Sequence, residues 1–245
     1  MRNKIVASFA EAVKDIPDGA SVMMHSFAGS AGIAQNLIAA LRDHGAKNLT
    51  VISCSMGVTT AAYEERPGFK PYVTPNLLVE SRQVTKVITT WPTGSMSSAT
   101  SKDETPIQKA IIAGEVEWEP LSQGILAERI RAGAAGLGGF YIPVGIGTTV
   151  EKGKEKRMIE GREYIFEKPL RADFGFVRAY KADPLGNLIY QGTARSFNPL
   201  IAMACTVTIA EVEEIVDSSE LDPEGIVTPG LFIDRIVAIP EAGWK

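Results

Sequence analysis

The segment 18–32 joins a buried strand to a glycine-containing loop, and it carries the residues best suited to hold a ligand. The apolar run 22–24 predicts a short buried strand, and the spacing of apolar residues over 33–44 predicts a helix directly after the loop. Gly29 and Gly32 let the backbone approach a ligand closely, and the free N–H groups of the helix point into the loop. The segment therefore predicts a site for an anion or an oxyanion. A tight strand–helix turn that binds nothing explains the same residues, and both interpretations stay open.

Cys54 and Ser55 follow a second predicted strand, residues 49–53. Ligands of open α/β sheets bind at the carboxyl ends of the strands, so these polar side chains are expected beside the same site. A metal site is not expected, because the two cysteines lack CxxC spacing and the chain has only two histidines. The same shortage argues against a Ser–His–Asp nucleophile.

Composition excludes several other classes of function. The net charge is −4 with no cluster of Lys and Arg, which argues against nucleic acid as a partner. The 245 residues contain no apolar run long enough to cross a bilayer and no N-terminal secretion signal, so we expect no membrane association and a cytoplasmic protein.

Predicted strands alternate with predicted helices along the chain, which indicates an open α/β fold with a mainly parallel sheet flanked by helices. We find no internal repeat or linker, so residues 1–245 are expected to form a single domain. The other predicted elements are a helix over 3–15, strands at 84–90, 116–118, 174–179, 188–191, 206–210 and 231–238, helices at 107–113, 123–131 and 198–204 (the last with Asn198 as its N-cap), and a hairpin turning at Glu160–Gly161. Two long segments, 59–80 and 91–106, interrupt this alternation, and the second is either a lid or a disordered flap.

Four blocks of the sequence resemble motifs of one enzyme family. They are Asp18-Gly19 with Phe27, Gly29 and Gly32; Ser122-Gln-Gly-Ile-Leu-Ala-Glu-Arg-Ile-Arg-Ala-Gly133; Gly136-Leu-Gly-Gly-Phe-Tyr-Ile-Pro-Val-Gly-Ile-Gly-Thr148; and Arg171-Ala-Asp-Phe174 with Lys181–Asn187 and Thr193–Pro199. Over nearly its whole length the chain resembles the α subunits of family I CoA-transferases, of the 3-oxoacid or acetoacetate type. The resemblance implies the CoA-transferase fold, which is related to that of sugar-phosphate isomerases.

The resemblance also implies a reaction and a partner. Such enzymes move CoA from an acyl-CoA to a free carboxylic acid through a glutamyl-CoA thioester, and in two-subunit members the glutamate lies on the β subunit. This chain has no matching glutamate motif, since Glu80 and Glu64-Glu65 have different surroundings. We therefore expect no catalytic nucleophile here, an obligate β subunit in a heterodimer, an α2β2 or a higher assembly, and CoA as a substrate with no permanently bound cofactor.

Site residues follow from the same resemblance. Gln123 matches a glutamine that faces the substrate carboxylate, although a glutamine that caps its own helix is the alternative. Phe27 belongs to the first block, and Cys54 and Ser55 occupy the place of a polar pair near the substrate. The loop residues Gly29, Ser30 and Gly32 are expected to supply backbone donors or room. His25 is either a substrate contact or general base, or a packed histidine at a strand end.

Several departures from the family pattern surround the expected acyl pocket. His25-Ser26 replaces a Gly-Gly pair, Ala34 and Ser122 each replace a proline, and segments 59–80 and 91–106 are longer than in common members. We expect the reaction class to hold and the acyl group to differ from plain acetoacetyl, being bulkier or aromatic. Two alternatives remain: an acyl-CoA hydrolase of the same architecture with its catalytic glutamate on this chain, and a sugar-phosphate isomerase or sensor on the related fold.

Overall fold

The computed structural model describes residues 3–27, 30–57, 72–92 and 104–240. The helices in these ranges are α1 Phe9–Val13, α2 Gln35–His44, α3 Asn76–Glu80, α4 Pro106–Ile112, α5 Gln123–Ala134 and α6 Asn198–Ala204. The strands are β1 Ser21–Met24, β2 Leu49–Ser55, β3 Val84–Trp91, β4 Glu117–Pro120, β5 Phe140–Ile142, β6 Lys156–Ile159, β7 Arg162–Glu167, β8 Ala172–Ala182, β9 Leu188–Ile189, β10 Cys205–Ile215 and β11 Arg235–Ala238.

One large sheet organises the described residues. Its strand order is β11-β10-β8-β1-β2-β3-β4, with every neighbouring pair parallel, and β9 adds an antiparallel strand beside β8. The prediction of an open α/β fold with a mainly parallel sheet is confirmed. Because the strands are parallel, the loops after β1 and β2 leave the sheet at the same edge.

Helices cover both faces of this sheet. Apolar residues of α1 to α4 form one buried cluster with one face, and those of α5 and α6 form a second cluster with the other. The alternation along β1 shows the division, since Val22 and Met24 point into the first cluster and Met23 into the second. Burial on both faces explains why β1 is a continuous apolar run. No helix in the described ranges combines the length and the apolar character needed to cross a bilayer.

Local signals explain several element ends. Helix α2 stops at Gly45, which has a φ of 84° and donates its N–H to the Leu41 carbonyl, as expected for a left-handed C-cap. A smaller antiparallel sheet, β5-β7-β6, contains the hairpin predicted at Glu160–Gly161. Both turn residues have positive φ, of 49° and 77°, which matches a tight two-residue turn.

The prediction of a helix over residues 3–15 is wrong at its N-terminal half. Ile5 instead forms a parallel bridge with Ile236 of β11, and Val6 donates its N–H to the Ile236 carbonyl at 2.9 Å. The helix begins only at Phe9, because Ser8 caps it by accepting a hydrogen bond from the Glu11 N–H. The first residues therefore extend the sheet edge.

Asn198 does not cap α6 as predicted. It is the first residue of that helix, Phe197 takes the cap position without a side-chain bond, and the Asn198 amide bonds to other loops. The long segments fall largely outside the described residues, which omit 58–71 and 93–103. Whether residues 91–106 form a lid therefore stays a prediction.

Candidate active site

A pocket of about 430 Å³ lies where the loop after β1 meets α5 and α6. It is lined by Phe27, Gln123, Gly124, Ala127, Ser196, Phe197 and Leu200. Two of these, Phe27 and Gln123, belong to the set predicted from the sequence. The pocket lies beyond the carboxyl end of β1, where ligands of parallel sheets bind.

Two aromatic rings form the apolar side of the pocket. The rings of Phe27 and Phe197 meet edge to face, with their centroids 6.3 Å apart, and 37% of Phe27 remains exposed. Leu200 and Ala127 continue this apolar surface on α6 and α5. Such a surface favours an uncharged organic group and excludes water from bonds that could be hydrolysed.

Gln123 supplies a polar group at the pocket. It is the first residue of α5, and the hydroxyl of Ser122 caps that helix by accepting the Ile125 N–H at 3.3 Å. The capping role that was the alternative for Gln123 is therefore taken by its neighbour. The Gln123 amide forms no side-chain hydrogen bond within the described part of the chain, so its N–H₂ group is available to a carbonyl or carboxylate oxygen.

Two hydrogen bonds between Ser26 and Ser55 hold the ends of β1 and β2 together. The Ser26 hydroxyl donates to the Ser55 carbonyl and accepts the Ser55 N–H at 2.9 Å. The Ser55 hydroxyl accepts the Gly57 N–H at 3.0 Å. Ser55 thus holds the backbone and does not line the pocket, and its predicted substrate contact stays a prediction.

Cys54 lies in the core beneath α5. Only 3% of it is exposed, and it packs with Leu121 and Ile125. Burial raises the pKa of its thiol to about 11, so the group is neutral at pH 7. Adjacent strand residues point to opposite faces of the sheet, so Cys54 lies on the face that α5 covers and Ser55, at the end of β2, lies on the other face.

His25 is buried between Gly32 and Phe197, with 1% of its surface exposed. Burial lowers its pKa to about 4, although the nearby Phe27 backbone acts in the opposite direction. Neither ring nitrogen has a hydrogen bond of ordinary geometry with the residues that the structure describes. The geometry favours the packed neutral imidazole over a general base, because a base that acts near pH 7 needs a pKa close to that value.

Asn198 joins the loops on either side of the pocket, and the sequence analysis missed it. Its Nδ2 donates to the carbonyls of Gly32 at 3.0 Å and Ala194 at 2.7 Å, and its Oδ1 accepts the Arg178 N–H at 3.3 Å. Ser30 and Gly32 lie in the 3₁₀ turn Ser30–Gly32, and Gly29 is outside the described residues. The block Thr193–Pro199 was the available signal, since it also contains the pocket residues Ser196 and Phe197.

Within the described ranges, no carboxylate is among the residues that line the pocket. Glu80 ends α3, which packs on the opposite face of the sheet from α5 and α6. Glu64 and Glu65 are outside the described residues. The part of the chain that is described also contains no group of three His, Cys, Asp or Glu side chains placed to hold a metal ion.

Comparison with known proteins decides the family. The model of the coenzyme A transferase family matches residues 6–238. The chain belongs to the coenzyme A transferase family. This CoA-transferase chain is 40% identical over 245 residues to the A subunit of the 3-oxoadipate CoA-transferase of Pseudomonas putida, a match that covers 99% of this chain and 96% of the relative. It is also 40% identical over 234 residues to the A subunit of the probable succinyl-CoA:3-ketoacid coenzyme A transferase of Bacillus subtilis, covering 96% and 89%.

A solved structure supports the fold. The acyl-CoA transferase YdiF of Escherichia coli O157:H7, in its apoenzyme form, superimposes with a TM-score of 0.81 at 23% identity. The match covers 98% of this CoA-transferase chain and 47% of YdiF, so the chain spans about half the length of that protein. At this identity the likeness shows the fold, and the predicted CoA-transferase fold is confirmed.

Proposed function

We propose that this chain is the α subunit of a heteromeric CoA-transferase whose nucleophilic glutamate lies on the partner subunit. The observation that carries the proposal is a pocket whose described lining residues offer an available amide and apolar sides but no carboxylate. Two further findings support it: the curated relatives of matching length are named as the A subunits of their enzymes, and YdiF is about twice as long. The partner completes the site, in a heterodimer, an α2β2 or a higher assembly in the cytoplasm.

The proposed reaction begins when the partner's glutamate attacks the thioester carbonyl of an acyl-CoA. The carbon–sulfur bond breaks, leaving an acyl-glutamyl anhydride and CoA thiolate. The thiolate then attacks the glutamyl carbonyl, which releases the first carboxylic acid and leaves a glutamyl-CoA thioester. The acceptor carboxylate reverses both steps, takes the CoA and frees the glutamate.

This chain binds and orients the acyl group during those steps. The Gln123 amide donates a hydrogen bond to the acyl carbonyl or to the acceptor carboxylate, and so holds it beside the glutamate. Phe27, Phe197 and Leu200 cover the acyl chain and keep water away from the anhydride. A dry site matters because hydrolysis of the anhydride would release CoA without transferring it.

The pocket also suggests the class of acyl group. None of the lining residues that the structure describes is charged, so these residues offer no cation to a second carboxylate, and two aromatic rings face the space. An uncharged acyl group bulkier than acetoacetyl, or aromatic, therefore suits it best. A panel of acyl-CoA donors tests this, and acetoacetyl-CoA with the highest kcat/KM would overturn it.

Adduct mapping tests the proposed division of labour. The chain is purified with the subunit that accompanies it, incubated with acyl-CoA, and trapped with borohydride or hydroxylamine before peptide mass spectrometry. We expect a modified glutamate on the second chain and none on this one. A modified glutamate on this chain would overturn the proposal and favour the hydrolase-like alternative.

A further inference from the structure

The N-terminus of α2, which follows the loop at the pocket, is capped by a residue of a distant strand. Ala34 occupies the cap position and has no side chain able to accept a hydrogen bond. Glu211 of β10 supplies the missing acceptor. Its Oε2 accepts the backbone N–H groups of Asn36 at 2.9 Å and Leu37 at 3.0 Å. Its Oε1 accepts the Asn36 side-chain amide at 3.3 Å. A carboxylate here satisfies free N–H groups and interacts favourably with the helix dipole.

The charged surroundings of Glu211 consist of few groups. Arg178 on β8 is buried, and its Nη1 lies 3.9 Å from Glu211 Oε1, while its Nη2 lies 2.9 Å from Glu213 on β10. On β11, Arg235 is paired with Asp15. Helix α2 presents two backbone N–H groups and the Asn36 side-chain amide to the carboxylate. Arg178 is therefore the main charge that acts on Glu211.

The same network reaches both loops that line the pocket. Arg178 donates its backbone N–H to Asn198, whose amide donates to the carbonyls of Gly32 and Ala194. Gly32 belongs to the turn between the pocket residue Phe27 and α2. Ala194 lies just before the pocket residues Ser196, Phe197 and Leu200 in the sequence. Movement at the N-terminus of α2 would therefore displace the two sides of the pocket relative to each other.

We propose that Glu211 is a positioning residue for CoA transfer: its carboxylate holds the N-terminus of α2 and, through Arg178 and Asn198, sets the spacing of the loops that carry Phe27 and Phe197. The inference rests on the proposed function, because its kinetic test is CoA transfer.

Stability alone does not explain a carboxylate at this position. Glu211 is fully buried, and burial raises its pKa to about 7, against the opposing effects of the Leu37 N–H and Arg178. A neutral side chain of the same shape would avoid the cost of burying the charge. Both backbone N–H groups donate to Oε2, and a glutamine oxygen could accept them as well, but the glutamine N–H₂ group would replace Oε1, which accepts the Asn36 side-chain amide and faces Arg178. The geometry thus links the charged state to the order of the loops.

The test uses Glu211→Gln in the complex of this chain with its co-purified subunit. CoA transfer from the best donor of the panel to acetate is measured between pH 5.5 and 9. For the wild type we expect kcat/KM to rise with pH through an apparent pKa near 7, as Glu211 ionises. For the variant we expect that rise to be absent and kcat/KM at pH 8 to be at least about tenfold lower. A variant that keeps the wild-type profile overturns the proposal.

Glu214→Gln is the matched control, because Glu214 is on the same strand but half exposed and paired with Lys181. It should keep the wild-type pH profile of kcat/KM.

Hydrogen exchange gives a readout without catalysis. At pH 8, the backbone amides of residues 30–37 and 192–198 should exchange faster in Glu211→Gln than in the control, and equal exchange counts against the proposal. A wild-type complex without CoA transfer would refute the proposed function instead. If Glu211→Gln does not assemble with its partner, Glu211→Asp is used instead. Its carboxyl group should shift the apparent pKa near 7 in the pH profile of kcat/KM, and an unchanged apparent pKa overturns the inference.

Discussion

Replacing Glu211 by Gln should change how the stability of the chain depends on pH. Burial raises the pKa of this carboxyl from 4.5 to about 7 in the folded protein. A raised pKa means that folding favours the protonated form. The stabilisation from this group is therefore complete below pH 4.5 and is lost as the pH rises through about 7. Each pKa unit is worth about 1.4 kcal/mol, so the rise from 4.5 to about 7 corresponds to a whole loss of about 3.5 kcal/mol.

The assay compares urea unfolding of wild type, Glu211→Gln and the control Glu214→Gln at pH 5 and pH 8. The unfolding free energy of the wild type relative to Glu211→Gln should fall by about 2.5 kcal/mol between these pH values, because most of the titration lies in this interval. The control Glu214→Gln keeps Glu211, so its unfolding free energy relative to Glu211→Gln should fall by a similar amount. If the difference in unfolding free energy between the wild type and Glu211→Gln stays constant or grows with pH, the pKa of Glu211 is not raised and the reasoning is refuted.

Three further variants or probes test the pocket. Gln123→Met keeps the size of the side chain but removes its amide, so kcat/KM should fall about 10–100-fold with unchanged melting, measured by steady-state kinetics and calorimetry. Gly32→Ala places a Cβ 2.6 Å from the His25 ring and should lower the free energy of urea unfolding by about 1–3 kcal/mol, whereas Gly138→Ala, which meets nothing within 4 Å, should not. The Cys54 thiol, with its pKa near 11, should resist iodoacetamide at pH 7.5 until urea unfolds the chain, as peptide mass spectrometry can follow.

Local patterns were sufficient to predict most of the large sheet. Apolar runs bounded by turn residues marked β1, β2 and β3, and Gly45 marked the end of α2, because these signals depend only on neighbouring residues. The prediction of a helix over residues 3–15 failed at its N-terminal half because a contact with a distant part of the chain decides the structure there. The apolar residues Ile5 and Val6 fit a helical spacing, but they are used in pairing with a strand near the other end of the chain.

The site residues show the same contrast between those that the sequence predicts and those that depend on distant contacts. Family resemblance selected Phe27 and Gln123, and both line the pocket. Cys54 was selected for its place at a strand end, and it lies on the face that α5 and α6 cover, but strand position alone does not show that Leu121 and Ile125 bury it. Asn198 could not be recognised as a link between loops, because its partner Gly32 is 166 residues distant in sequence.

The proposed division of the active site between two subunits has a chemical consequence. In the proposed reaction, the anhydride must react with CoA thiolate or a carboxylate before it reacts with water, so the nucleophile is useful only inside a closed apolar site. Among the residues that the structure describes, this chain supplies apolar sides and an amide donor at its pocket, and the proposed nucleophile comes from the partner. A nucleophile on the partner acquires its dry surroundings only when the two chains associate. Assembly then couples activation of the thioester to exclusion of water, which limits wasteful hydrolysis of acyl-CoA.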